Sequence, residues 1–84
     1  MKAMSASQKQ INDIAYVIDK AGIEILDSKT QIVAKIRLAN PELTLSELTD
    51  VYFDETGQTI SKSGLHHRFK KISDEAERLR QLES

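Results

Sequence analysis

A chain of 84 residues, 39% hydrophobic and 30% charged, makes one small domain that buries only about 60% of its unfolded surface, so its function must lie on a surface. Without cysteine there is no disulfide framework, thiolate zinc site or cysteine nucleophile, which fits a reducing compartment and makes the cytoplasm the expected location. A net charge of −1 excludes a general coating of nucleic acid, and no apolar run approaches the roughly 20 residues that span a bilayer, so no membrane partner or signal-peptide core is expected.

Met1 to Ser5 carries no usable pattern and is expected to fray. From Ser7, the residues Ile11, Ile14, Ala15 and Ile18 follow helical spacing, predicting a first helix to about Lys20 that Ala21-Gly22 stops. Tyr16 and Val17 lie off that seam, so this helix is either packed on a second side or an arm that meets a neighbouring domain. Ile23, Ile25 and Leu26 anchor a short connector. The second helix is expected to open at Ser28, where Ser28-x-x-Gln31 has capping-box form, and to run through Ile32, Val33, Ile36 and Leu38 until Asn40-Pro41 stops it. Lys35 and Arg37 suit the helix dipole and read as surface charges.

Thr44-x-x-Glu47 is a capping box, and Leu43 with Leu48 has staple spacing. They start a third helix of about ten residues with Leu45, Leu48, Val51 and Tyr52 inward. Residues 54–59 then read as a polar loop, expected to be the most mobile interior segment because no apolar anchor lies between Phe53 and Ile60. A fourth helix follows the N-cap Ser61, with Ile60 and Leu65 placed for a second staple. Leu65, Phe69 and Ile72 fall on one side of it and Ser63, His67 and Lys70 opposite, flanked by His66 and Lys71. The apolar spacing continues through Ala76, Leu79 and Leu82, so the helix is expected to extend to the end, a kink at Ser73-Asp74 being the alternative. Packing back on its own domain is favoured over self-association, and a monomer over a dimer.

Residues 61–72 carry four Lys or Arg and no acid. A short helix, a turn and a basic helix is the helix-turn-helix order, in which the second helix enters the major groove. Ser63, His66, His67 and Lys70 are the base-facing candidates; Ser61, Lys62, Arg68 and Lys71 are the phosphate candidates. Gly64 allows close packing against the third helix, the favoured reading, or close approach to a DNA backbone. No catalytic constellation is visible and an enzyme is not expected. The adjacent His66 and His67 point about 100° apart, unsuited to chelating one metal, and no cofactor is implied.

Thr44-Leu45-Ser46-Glu47-Leu48 followed by Ile60-Ser61-Lys62-Ser63-Gly64-Leu65-His66-His67-Arg68-Phe69-Lys70-Lys71-Ile72 resembles the C-terminal helix-turn-helix domain of WhiA-type bacterial regulators, whose motif reads like I-S-K-S-G-V-N-H-R-L-R-K-I. Ala6-Ser7-Gln8-Lys9-Gln10-Ile11 and Arg37-Leu38-Ala39-Asn40-Pro41-Glu42-Leu43 are similar to that family too. The resemblance implies a longer protein with an N-terminal domain like the LAGLIDADG homing endonucleases, without nuclease activity, acting in transcription linked to sporulation or cell division. His66 stands where the family often has Asn, and residues 54–59 read as a longer, more acidic loop.

The expected fold is all-α: a trihelical helix-turn-helix domain over residues 27–84, preceded by a helix and connector over residues 1–26 that lead to an N-terminal domain. The expected function is sequence-specific binding of double-stranded DNA in the nucleoid. The alternative is a protein-interaction domain that docks a transcription or cell-division partner through the same basic helix.

Overall fold

The computed structural model describes residues 6–83, so the fraying expected of Met1 to Ser5 lies outside the described residues. Four helices follow one another: α1 (Ala6–Lys20), α2 (Ser28–Ala39), α3 (Leu45–Thr56) and α4 (Lys62–Glu83), with a single 3-10 turn, Ile23–Ile25, between the first two. Helix α1 ends at Gly22, whose φ of 87° a side-chain-bearing residue rarely adopts, and whose N–H donates to the carbonyls of Val17 and Ile18 at 3.1 Å each. The buried face of α1 is not the expected isoleucine seam. Ile14 and Val17 are buried, but so is Asp13, while Ala15 and Ile18 are exposed. The helix is rotated because the domain supplies partners for its polar side chains: Gln10 accepts from Arg37, and Asp13 accepts from Lys9 and Arg80.

Helix α2 departs from its expected start by one residue. Asp27, not Ser28, is the N-cap, and Gln31 does not reach back to close a box but donates to the Leu26 carbonyl at 2.7 Å. Arg37, expected on the surface, is 2% exposed. Its Nε donates to Gln10 Oε1 at 3.0 Å and its Nη1 to the carbonyls of Asn40 at 3.2 Å and Leu43 at 2.7 Å, while the guanidinium lies 5.6 Å from the centroid of the Phe69 ring. Among the described residues no buried side-chain nitrogen or oxygen lacks a partner, so the helix can carry this cation on its core face. At the other end Asn40 leaves the helix before Pro41, and its side-chain amide donates to the Ile36 carbonyl at 2.9 Å.

The capping box of α3 is present as expected, with Glu47 N–H donating to Thr44 Oγ1 at 3.2 Å and Thr44 N–H to Glu47 Oε1 at 3.0 Å. The helix is longer than expected and takes in Asp54, Glu55 and Thr56. Gly57, in the left-handed conformation at φ 72°, ends it. Only residues 57–61 therefore connect α3 to α4, not the six-residue acidic loop inferred from composition.

Helix α4 is unbroken through Ser73 and Asp74. Its 22 residues make a rod about 33 Å long. Leu65, Phe69, Ile72 and Ala76 are buried along one line, together with Val33, Ala34 and Ile36 of α2, Leu48 and Tyr52 of α3, and Ile14 and Val17 of α1. Val51 and Ile32 pack at the margin and are half-buried. Leu79 is half-buried, whereas Leu82 is 72% exposed, so the seam runs out before the helix does. No strand occurs among the described residues.

Phe69 lies where this line passes the Arg37 guanidinium. Phe69→Ala should lower unfolding free energy by about 3–5 kcal/mol, read as a shift of the denaturant midpoint at unchanged m-value. A loss below about 1 kcal/mol would remove Phe69 from the core.

Candidate nucleic-acid interface

Ser61 fixes where α4 begins: its hydroxyl accepts from Gly64 N–H at 2.9 Å and its carbonyl from Leu65 N–H at 3.0 Å. Ile60, half-buried beside the cap, packs onto the core, as a staple to Leu65 requires. A Cβ on Gly64 would stand 3.0 Å from Ile60 Cγ1 and 3.3 Å from Ser61 Oγ. The space that glycine saves is thus used by the chain's own approach to the helix, not by α3 as expected.

Because the core line of α4 is fixed by Leu65, Phe69 and Ile72, the helical period sends Ser63, His67 and Lys70 to the opposite side. All three are exposed, as are Ser61, Lys62, His66 and Lys71, while Arg68 is half-buried. His66 and Lys70 border a shallow groove of about 300 Å3 against α1, with Lys9, Asp13, Ser73 and Asp74 on its other walls. There Lys9 Nζ donates to Asp13 Oδ2 at 2.8 Å and to Ser73 Oγ at 3.1 Å, and Lys70 lies 3.8 Å from Asp74.

The opposite flank is organised by a residue of α2's start. Asp27 Oδ2 accepts from Arg68 Nη1 at 3.0 Å, and its Oδ1 accepts from Lys71 Nζ at 3.3 Å and from the Thr30 hydroxyl at 2.6 Å. The Thr30 hydroxyl, helped by Lys71 and Arg68 against the opposing effect of burial, holds the Asp27 carboxyl down to about 2 from an ordinary 3.8. The carboxylate is therefore ionised at any physiological pH. The eight candidate residues thus divide: an outward line of Ser63, His67 and Lys70, an α1 flank with His66, an α2 flank with Arg68 and Lys71, and the capped start with Ser61 and Lys62.

Among the described residues no group of three or more His, Asp or Glu is placed to hold a metal ion. No helix among them is long and apolar enough to cross a membrane.

Over residues 1–76 the sequence matches the family described as the WhiA C-terminal HTH domain. The chain belongs to that family. It is 49% identical over 80 residues to proteins named probable cell division protein WhiA from Lactobacillus helveticus and Lactobacillus acidophilus, covering 95% of this chain and 25% of each relative. The same name is carried by a relative from Listeria monocytogenes, 40% identical over 83 residues, covering 99% of this chain and 25% of the relative. The chain thus spans about a quarter of the length of these curated WhiA relatives. No solved structure matches it.

Two residues of this WhiA domain that bear on the interface escaped the sequence reading. Asp27 was hidden by the neighbouring Ser28, which has the better-looking box, although aspartate is itself among the favoured N-caps. Lys9 lies on α1, far from the basic stretch in sequence, and reaches Ser73 across 64 residues.

The Asp27 carboxyl gives a pH test of this arrangement. Its folded-state pKa lies below the unfolded one, so the stabilisation it contributes is complete above about pH 5 and is lost as pH falls toward about 2. The stability difference between wild type and Asp27→Asn, from denaturant titrations, should hold steady between about pH 7 and 5 and shrink by about pH 2. A difference that does not change with pH would mean that Asp27 does not titrate as this geometry requires.

Proposed function

We propose that this domain binds double-stranded DNA sequence-specifically as part of a bacterial transcription regulator, with the first three turns of α4, up to about Ile72, in the major groove. The observation that carries the reading is the opposition on α4 of a buried apolar line and an exposed polar face, with Lys62, Lys70 and Lys71 exposed on and around it, held at a capped helix start after a short turn. Membership of a helix-turn-helix family supports it. In this reading Ser63, His66, His67 and Lys70 meet base edges, and Ser61, Lys62, Arg68 and Lys71 meet phosphates. The protein is not an enzyme and works in the cytoplasm at the nucleoid.

Because the chain corresponds to a quarter of its relatives, the regulator is a longer protein. Residues 1–26 then lead to an N-terminal domain of LAGLIDADG type, and residues 27–84 form the DNA-binding unit. The relatives' name, probable cell division protein, supports a role connected with cell division. The reading is tested by selection from random-sequence duplexes followed by gel-shift titration. Enrichment of one motif supports it; binding that tracks an acidic protein and not DNA would favour the protein-interaction alternative.

The groups should fail differently on substitution. Lys62→Ala should weaken binding similarly across sequences and flatten the slope of log K against log salt by about 0.9, as loss of one phosphate contact does. His67→Ala should instead reorder operator variants, by about 1–3 kcal/mol at one base pair. Binding profiles of both variants over a mutated operator set decide the matter: an equal shift for every sequence with His67→Ala removes it from the base-reading set.

A further inference from the structure

Asp27 occupies the N-cap of α2, yet its carboxylate accepts nothing from the backbone of its own helix. Both oxygens are committed elsewhere: Oδ2 to Arg68 at 3.0 Å, and Oδ1 to Lys71 at 3.3 Å and to the Thr30 hydroxyl at 2.6 Å. Thr30 is wholly buried, so the carboxylate is braced from beneath rather than swinging on a free side chain. Arg68 Nη1 lies also 3.3 Å from Thr30 Oγ1. Two of the four cations in the basic stretch thus share one anion. The Lys70–Asp74 pair is different in kind, being longer at 3.8 Å and about two-thirds exposed on both sides.

We propose that Asp27 is an internal rival for DNA phosphate, which holds Lys71 and Arg68 on the α2 flank of the recognition helix and so limits the domain's affinity for a duplex. The proposal rests on the DNA-binding reading above. A phosphate that takes Lys71 competes with the carboxylate for its charge, and a carboxylate left uncovered gathers a cation from solution, offsetting the counterion release that drives such contacts. A duplex without the operator offers only phosphates and leaves the Asp27–Lys71 pair closed. An operator adds base contacts that bring the backbone close enough to open it. Asp27 therefore withholds Lys71 from duplexes of arbitrary sequence, and on the operator the opening of the pair is a cost that the base contacts offset.

The test uses the whole 84-residue chain and a random-sequence duplex titrated at several salt concentrations. Asp27→Asn keeps a favoured N-cap and an acceptor for Thr30 while removing the charge; Asp27→Ser is the second variant, also a favoured cap. Each should bind about two- to fivefold more tightly, the range of one released surface ion pair, with the salt slope steeper by about 0.9 because Lys71 then neutralises one more phosphate. The tighter binding should vanish in a background that carries both Lys71→Ala and Arg68→Gln. Wild-type affinity and an unchanged slope in both variants overturn the inference and leave the DNA-binding reading intact. Tighter binding that survives the loss of both cations also overturns it, since the charge would then act as a general field. No binding of wild type to any duplex removes the DNA-binding reading and this inference with it.

Discussion

Arg37 brings a full positive charge to a position that is 2% exposed, and its hydrogen-bond acceptors among the described residues are all neutral. Burial lowers its pKa from the ordinary guanidinium value, but an arginine keeps its proton in such a site, and the desolvation must be offset by hydrogen bonds of good geometry. Those contacts come from three separate parts of the fold. Gln10 belongs to α1, the Asn40 and Leu43 carbonyls to the α2–α3 turn, and the ring beneath the guanidinium is Phe69 of α4. The cation therefore fixes the turn that aims α3 and the helix that α3 is aimed at. A leucine in its place would take the Arg37 donor from the Leu43 carbonyl, at a cost of about 1–3 kcal/mol, and leave the Asn40 carbonyl with the Leu43 N–H alone.

A second buried charge secures the other end of α4. The Asp13 side chain is 5% exposed and lies between Lys9 and Arg80. Burial alone would raise its pKa, yet hydrogen bonds from Lys9 and Arg80 outweigh that and hold it below the ordinary carboxylate value. Arg80 also lies over the Tyr16 ring at 4.7 Å, and Tyr16 and Lys20 both reach Glu83. The last turns of α4 are therefore attached to α1 mainly by charged and aromatic groups, which explains how the helix continues past the point where its apolar seam ends at Leu79.

What could be read from the sequence was local. The box at Thr44 and Glu47, the cap at Ser61 and the line Leu65, Phe69, Ile72 and Ala76 depend on residues within one or two turns of each other, and each is found in the fold. What could not be read depends on partners far away along the chain. Arg37 falls on the stripe Thr30, Val33, Ala34, Arg37, spaced three, four and seven residues from its start, where an apolar residue would have been taken as core without question. Its charge alone sent it to the surface in the sequence reading, because Gln10 lies 27 residues away. Asp27 meets Arg68 across 41 residues, and the rotation of α1 follows from the same kind of long-range pairing. The exposed face of α4 was legible in the sequence; the pairing of its cations was not.

That pairing gives α4 a direction. Toward its end Arg80 is bound to a buried carboxylate, and in the middle Arg68 and Lys71 share the half-exposed Asp27. Near the start, Lys62, Ser63 and His67 stand exposed beyond the cap. Charge commitment thus increases along one unbroken helix while the apolar line beneath stays continuous as far as Ala76. A cation bound to a buried anion cannot be transferred to a partner without leaving that anion uncompensated, whereas an exposed one can be transferred at little cost. The anchored end can therefore hold the helix rigid against α1, and rigidity at that end is what allows short polar side chains at the other to present a fixed surface.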